Sequence, residues 1–264
     1  MDLEDLLAAV RAQPDAVCIP QDWTQGRACY GGLMAALLYE AMRQHVSPER
    51  SVRSLAITFV GPAQAEEPIS FSIEVLREGK GVSSLLGRAT QGGQVVTLMQ
   101  GSFGAPRSSS IALTNRPVAP MLALDEAREL PYLEGVTPHY MRHLAMRWGV
   151  GALPFSNTPA PAMGGWMRLR GEATRPLDEA RLLVLTDAWP PALLPHLKAP
   201  APGSSLSWTI EFVQPLAALT TQDWCRYCAV IEHARDGYGH TAAGVWSSDG
   251  QLLALSRQTV TVFG

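Results

Sequence analysis

Apolar positions follow a helical pattern at one place early in the chain and strand-like patterns directly after it. Residues 31–42 are apolar at almost every position and consist of good helix formers, which predicts a helix buried on most of its faces. Four runs rich in Val, Ile, Leu, Thr and Ser come next, with turn residues between them and Gly92-Gly93 as a hairpin turn. These runs predict an antiparallel set of strands at 54–60, 69–77, 83–90 and 94–103.

The second half of the chain presents the same order of elements. A predicted helix at 176–189 ends at Pro190-Pro191, because proline cannot continue the helical hydrogen-bond ladder. Two further strands, at 140–148 and 165–170, precede that helix. Residues 104–138 contain many prolines and a serine triplet, which predicts a linker with a short helix around 122–130. Strands are predicted after the second helix at 206–213, 224–233, 239–246 and 251–261, with 248–250 as a hairpin turn.

Short motifs recur between the two halves at a nearly constant separation. Phe-Val-Gly-Pro at 59–62 is matched by Phe-Val-Gln-Pro at 212–215, and Arg-Glu-Gly at 77–79 by Arg-Asp-Gly at 235–237. Such an internal repeat predicts two copies of one domain. We place an N-terminal domain at 1–107, a linker at 108–138 and a C-terminal domain at 139–264.

The repeat also predicts that the halves differ in role. Gly101 in the first copy aligns with Gln258 in the second, so only the second copy has a polar side chain there. We interpret the second half as the working half and the first as supporting it. The predicted fold class is α+β. One long helix wrapped by a curved antiparallel sheet is a hotdog domain and two in tandem form a double hotdog, although the pattern alone also fits other α+β folds.

Composition narrows the class of protein. Of the 264 residues 47% are hydrophobic and 17% charged, which is typical of a globular chain, and the net charge of −3 gives no basic footprint for nucleic acid. Apolar runs stay well short of the roughly 18 residues that a membrane span needs. Three of the first five residues are acidic, whereas the start of a signal peptide is basic. We expect a cytoplasmic protein with neither nucleic acid nor membrane as a partner.

The cysteines and histidines do not predict a metal site. Cys225 and Cys228 have metal-ligand spacing, but they fall in a predicted strand, where residues three apart point to opposite faces. Buried thiols are therefore the preferred interpretation. His139 and His143 have helical spacing in a segment that looks extended, without an evident carboxylate partner. We expect neither a metal nor a cofactor.

Taken together, these motifs resemble the acyl-CoA thioesterase II (TesB-like) family of double-hotdog thioesterases. The resemblance covers nearly all of residues 20–264 and includes Tyr-Gly-Gly at 30–32, Thr-Asp-Ala at 186–188 and Ala-Leu-Ser-Arg-Gln at 254–258. It implies an active site in the C-terminal hotdog, formed by Asp187, Ser205 and Gln258. Ser204 replaces Ser205 if the register slips by one.

The residues themselves leave alternatives open. Asp187 is the only acidic side chain in an apolar stretch, where a buried carboxylate must be paired, yet it could also be a solvent-facing residue at a helix end. Gln258 could hold a water molecule through its amide or lie on the surface. Ser205 could supply a hydroxyl to the same water or only form a turn. No Gly-x-Ser-x-Gly elbow is present, which disfavours a serine nucleophile.

The resemblance implies hydrolysis of acyl-CoA by a water molecule that Asp187 deprotonates and that Ser205 and Gln258 hold. Backbone N–H groups at a helix start could stabilise the oxyanion. Relatives often have Phe-His-Arg-Pro where this chain has Phe-Val-Gln-Pro at 212–215, so the coenzyme or acyl chain can be held differently. The alternatives are a non-catalytic acyl-CoA or lipid-binding protein and an enoyl-CoA hydratase, whose usual Asp and His pair is not evident. We also expect association into a homodimer or homotetramer.

Overall fold

The structure is a computed structural model that describes residues 1–171 and 173–262. Its α-helices are α1 (Leu3–Ala12), α2 (Gly31–Arg43) and α3 (Glu179–Thr186), and 3₁₀ turns lie at Gln21–Trp23, His139–His143 and Leu194–His196. The strands are β1 (Val17–Cys18), β2 (Thr24–Gln25), β3 (Ala28–Cys29), β4 (Ser51–Phe59), β5 (Pro68–Glu78), β6 (Val82–Gln91), β7 (Gln94–Gly104), β8 (Arg128–Leu130), β9 (Leu144–Val150), β10 (Ala162–Leu169), β11 (Gly203–Phe212), β12 (Cys225–Arg235), β13 (Tyr238–Ser247) and β14 (Leu252–Val262).

The chain forms two compact units. The first unit comprises Met1–Ile111, Tyr132–Arg142 and Asp178–Val184. The second comprises Ala112–Pro131, His143–Leu177 and Leu185–Gly264. Helix α3 therefore has its first six residues in the first unit and its last two in the second.

In the first unit, one buried helix packs on an antiparallel sheet. The strand order is β1-β5-β6-β7-β4, and α2 contacts β5, β6 and β7. Every residue of α2 from Gly32 to Met42 is buried, as its apolar composition predicts. The hairpin between β6 and β7 turns at Gly92 and Gly93, whose positive φ angles of 56° and 78° favour glycine.

The sheet of the second unit has the order β11-β14-β13-β12-β10-β9-β8. Its strands β11 to β14 therefore have the same neighbours as β4 to β7 in the first unit. The ladders also agree in detail, because Gly101 lies opposite Leu55 and Gln258 lies opposite Trp208. Bulges occur at matching places in the two units: Val52/Ser54 and Ser205/Ser207, Val75/Arg77 and Ile231/His233, Ala89/Thr90 and Val245/Trp246.

The predicted elements are largely confirmed, with one clear error. The helix predicted around 122–130 is wrong: the chain makes a turn at 124–126 and then forms β8. Its backbone bonds elsewhere, since the Leu122 N–H donates to the Gly149 carbonyl at 3.1 Å and the Leu122 carbonyl accepts from Trp166 Nε1 at 3.0 Å. The predicted helix at 176–189 is shorter, as α3, and the predicted strand at 140–148 begins with the 3₁₀ turn.

Close packing at Gly101 gives a testable consequence for stability. A Cβ atom at this position would lie 2.8 Å from the Phe103 ring and 3.2 Å from Leu55. We expect Gly101→Ala to lower the free energy of unfolding by about 1–3 kcal/mol, the usual cost of overpacking a core. Gly61→Ala is the matched control, because a Cβ at Gly61 meets nothing within 4 Å. Chemical denaturation measures both, and equal stability of the two variants would contradict the packing argument.

No helix within residues 1–171 and 173–262 is long and apolar enough to cross a membrane.

Candidate active site

Asp187 lies in the turn that directly follows α3. The helix ends here with a tightened turn, since the Ala188 N–H donates to the Leu185 carbonyl at 3.1 Å, and Pro190 follows shortly after. The residues of α3 from Ala180 to Thr186 are buried, while Asp187 itself is half-buried. The C-terminal end of a helix carries partial negative charge, so a carboxylate at this position needs nearby hydrogen-bond donors.

Gln258 supplies such a donor. It lies on β14, where Ser256 and Val260 are buried and Leu255 and Arg257 are exposed, so Gln258 belongs to the inward-facing set. Its Nε2 donates to Asp187 Oδ1 at 2.7 Å. A hydrogen bond to an ionised carboxylate is stronger than one between neutral groups. The structure therefore brings together two of the three residues that the sequence predicts for the site.

The register of β11 against β14 distinguishes the two candidate serines. Ser205 lies opposite Val260, which places it on the same face as Gln258 and two pairs further along the ladder. Ser204 lies opposite Thr261, is exposed, and has its Oγ 3.2 Å from Thr261 Oγ1. Ser205 is thus on the face of the candidate site and Ser204 is on the other face. The role of Ser205 stays a prediction.

An aromatic cluster follows Asp187 in the second unit. Trp189 stacks on Tyr227, with ring centroids 5.7 Å apart and planes within 2°, and its ring centroid lies 5.4 Å from that of Trp148. Gly165 on β10 pairs with Trp148 on β9 and with Tyr227 on β12. A Cβ at Gly165 would come within 2.9 Å of the Trp189 ring, so the missing side chain leaves space for the indole.

Tyr227 is a residue of this region that the sequence reasoning missed. Burial raises the pKa of its hydroxyl well above the ordinary value, and the negative charge of Asp187 raises the pKa further. Tyr227 therefore keeps its proton at neutral pH and remains a hydrogen-bond donor. Strand alternation could have placed it inside, because Cys225, Tyr227 and Ala229 are all buried on one face of β12.

In the first unit, the position that matches Gln258 is filled by apolar side chains. Leu55, Phe103 and Met42 would all lie within 3.4 Å of a Cβ at Gly101. A glutamine side chain has no room at that place. The difference between Gly101 and Gln258 is thus accompanied by a difference in packing.

The cysteines allow a prediction of reactivity. Burial raises the pKa of the Cys29 and Cys225 thiols to about 12 and also raises the pKa of Cys228, whereas Cys18 is exposed. At pH 8 a thiol with a pKa of 12 is ionised to only about one part in ten thousand, and the thiolate is the nucleophile. We expect iodoacetamide to modify Cys18 alone in the folded protein and all four cysteines after denaturation. Modification of Cys225 or Cys228 in the folded protein, read by peptide mass spectrometry, would contradict this.

Among residues 1–171 and 173–262, no group of three His, Cys, Asp or Glu side chains is arranged to hold a metal ion. Cys225 and Cys228 are both buried and both reduced.

Two family models match the chain. The acyl-CoA thioesterase N-terminal domain matches residues 19–104, and the acyl-CoA thioesterase C-terminal domain matches residues 124–262. Acyl-CoA thioesterase 2 of Haemophilus influenzae is 26% identical over 252 residues, which cover 88% of this chain and 86% of that relative.

Solved structures support the same fold. A protein of Alicyclobacillus acidocaldarius, described as having a hot dog fold, aligns with a TM-score of 0.83 and 23% identity over 94% of this chain and 92% of its own. The acyl-CoA thioesterase II TesB2 of Mycobacterium marinum aligns with a TM-score of 0.73 and 21% identity over 94% and 91%. These similarities establish the hotdog fold. With both family models matched in order along one chain, this protein belongs to the TesB-like acyl-CoA thioesterase family.

Proposed function

We propose that this protein hydrolyses acyl-CoA thioesters at a site in the second unit built around Asp187 and Gln258. Membership of the thioesterase family supports the reaction class. The observation that carries the choice of site is the 2.7 Å hydrogen bond from Gln258 Nε2 to Asp187 Oδ1, on a buried face of the sheet. A carboxylate held by an amide donor has a fixed orientation, which a general base acting on a water molecule needs.

The proposed reaction is a direct attack by water. Asp187 takes a proton from the water molecule while the oxygen of that water bonds to the thioester carbonyl carbon. The tetrahedral intermediate then collapses, the C–S bond breaks and the coenzyme A sulfur receives the proton from Asp187. The products are the free acid and the thiol of coenzyme A, and Asp187 returns to its ionised state.

Gln258 and Ser205 have orienting roles in this proposal. The amide of Gln258 donates to Asp187 Oδ1 and so fixes the orientation of the carboxylate toward the water. Ser205, on the same face of the sheet, would contribute its hydroxyl to that water. Together these groups would fix the water in a near-attack position, which is a large part of the advantage over free water.

The matching bulges support a double hotdog for the whole chain. Each set of four strands has the same neighbour order and the same register shifts, as expected of two tandem hotdog domains. We propose domains at 1–107 and 139–264 joined by a linker at 108–138. We further propose that the chain assembles into a homodimer or homotetramer.

The altered motif at 212–215 favours a difference in substrate from relatives. Val213 packs against the apolar cluster of Cys228, Trp246 and Leu252. Gln214 accepts a hydrogen bond from the Leu216 N–H at 3.2 Å through its side chain. Both residues thus have local structural contacts in this chain. A protein that binds acyl-CoA without hydrolysing it is the second candidate function, and the altered motif is the observation that favours it.

Release of coenzyme A thiol from a panel of acyl-CoAs separates the two candidates. The panel runs from acetyl to palmitoyl and includes an aromatic acyl group, with the free thiol detected by a colorimetric reagent. We expect hydrolysis of at least one member at an enzymatic rate. Tight binding with no hydrolysis of any member would favour the binding protein instead.

A further inference from the structure

Tyr30 donates a buried hydrogen bond to the last turn of α3. Its hydroxyl lies 2.6 Å from the carbonyl oxygen of Val184, and the tyrosine side chain is fully buried. Val184 is among the last four residues of α3, whose carbonyls lack regular partners within the helix. The Tyr30 hydroxyl therefore caps a carbonyl three residues before Asp187.

Neighbouring residues fix the position of the Tyr30 ring and of its hydroxyl. The ring stacks on Tyr140 with centroids 4.0 Å apart and planes within 7°. A Cβ at Gly32 would lie 2.5 Å from the Tyr30 hydroxyl oxygen, so only glycine leaves room for that hydroxyl. This contact gives a physical reason for the glycine at position 32 of the Tyr-Gly-Gly sequence.

Helix α3 depends on such contacts because it is short. Its eight residues form a helix that would be marginal in isolation, so tertiary contacts at each end hold the residues of that end in place. The N-terminal end is anchored by Asp178, which accepts from the Arg181 N–H at 3.0 Å, and by Glu179, which accepts from the Tyr39 hydroxyl at 3.2 Å. The last turn, next to Asp187, receives the hydrogen bond from Tyr30.

We propose that Tyr30 is a positioning residue for the reaction: by bonding to Val184, its hydroxyl fixes the end of α3 and holds Asp187 where Gln258 can bond to it. This inference rests on the proposed function, in which Asp187 is the base. Tyr30 itself touches neither the water nor the substrate in this account. Its effect on the reaction is therefore an effect on the geometry of Asp187.

Tyr30→Phe tests the proposal, with Tyr39→Phe as its matched control. Both substitutions remove one buried hydroxyl that bonds to α3, one near Asp187 and one at the opposite end of the helix. We expect Tyr30→Phe to lower kcat by about tenfold to a hundredfold with KM within about twofold, as displacement of a catalytic group does. Tyr39→Phe should keep the wild-type kcat, and thermal unfolding should show comparable stability of the two variants.

Side-chain NMR of the Gln258 amide provides a second measurement that does not need turnover. The signal is assigned by its absence in Gln258→Leu. We expect it to shift in Tyr30→Phe and to stay in place in Tyr39→Phe. Equal losses of kcat in the two variants, or an unchanged amide signal in Tyr30→Phe, would overturn the proposal.

The two proposals fail in distinguishable ways. If the wild-type protein hydrolyses no acyl-CoA, the proposed function fails, and the amide signal still decides whether Tyr30 positions Asp187. If the wild type is active and Tyr30→Phe has the same kcat, the positioning role alone fails.

Discussion

Asp187→Asn lowers kcat for acyl-CoA hydrolysis by about 10²–10⁴-fold, the usual contribution of a general base. Asparagine keeps the size of the side chain and can keep an oxygen facing Gln258 Nε2, which donates to Asp187 at 2.7 Å. It cannot accept a proton from water. KM should change little, because the loss is in the chemical step. Thiol release at saturating substrate measures the effect, and circular dichroism confirms the fold.

Asp178→Asn is the matched control for that experiment. Asp178 directly precedes the same helix and accepts a hydrogen bond from the Arg181 N–H through its side chain. Asparagine caps helices about as well as aspartate, and the buried Arg181 keeps its ion pair with Glu4, so the substitution leaves no unpaired charge. We expect wild-type kcat. A folded Asp187→Asn protein as active as this control would show that Asp187 is not the base.

Gln258→Glu places a second carboxylate against Asp187, in the place of an amide that donates at 2.7 Å. Two carboxylates at this distance cannot both ionise without a large penalty, so the pair retains a proton and the base is lost. We expect kcat at pH 8 to fall by about a hundredfold or more. Stability should depend on pH, because the folded variant binds a proton that the unfolded chain releases near pH 4.3.

The sign of that pH dependence is fixed by linkage. The retained proton favours the folded variant at low pH, and this contribution is lost as the pH rises and the pair must ionise. The melting temperature of Gln258→Glu should therefore lie near that of the wild type at pH 5 and well below it at pH 8. Gln251→Glu is the control, since Gln251 is exposed just before the same strand. Equal melting temperatures of the two variants at pH 8 would contradict the contact with Asp187.

Local signals predicted the helix α2 and the strands on which it packs. A continuous run of apolar helix formers is enough to predict α2, and the glycines at 92–93 are enough to predict the hairpin after β6. Helix α1 was missed, although Asp2 and Asp5 form a reciprocal capping box and Leu3, Leu6, Leu7 and Val10 form one buried face. The capping residues and the spacing of these leucines are sufficient to predict a helix at 3–12.

Other features depend on partners distant in sequence. The segment at 122–130 has a composition compatible with a helix, but its backbone groups bond to Gly149 and Trp166 instead. The hydroxyl of Tyr30 and the carbonyl of Val184 are 154 residues apart along the chain. The family resemblance implied Asp187 and Gln258 as site residues, whereas their contact and the stacking of Trp189 on Tyr227 required the fold.

A single-turnover reaction in ¹⁸O-labelled water tests most directly whether water attacks the thioester at Asp187. The protein is mixed in excess with the best acyl-CoA of the panel, and both the free acid and the peptide containing Asp187 are analysed by mass spectrometry. We predict one ¹⁸O atom in the free acid, none in the carboxylate of Asp187, and no acylated protein. Label in the Asp187 carboxylate, or an acyl adduct on the protein, would contradict direct attack by water and point to a covalent intermediate.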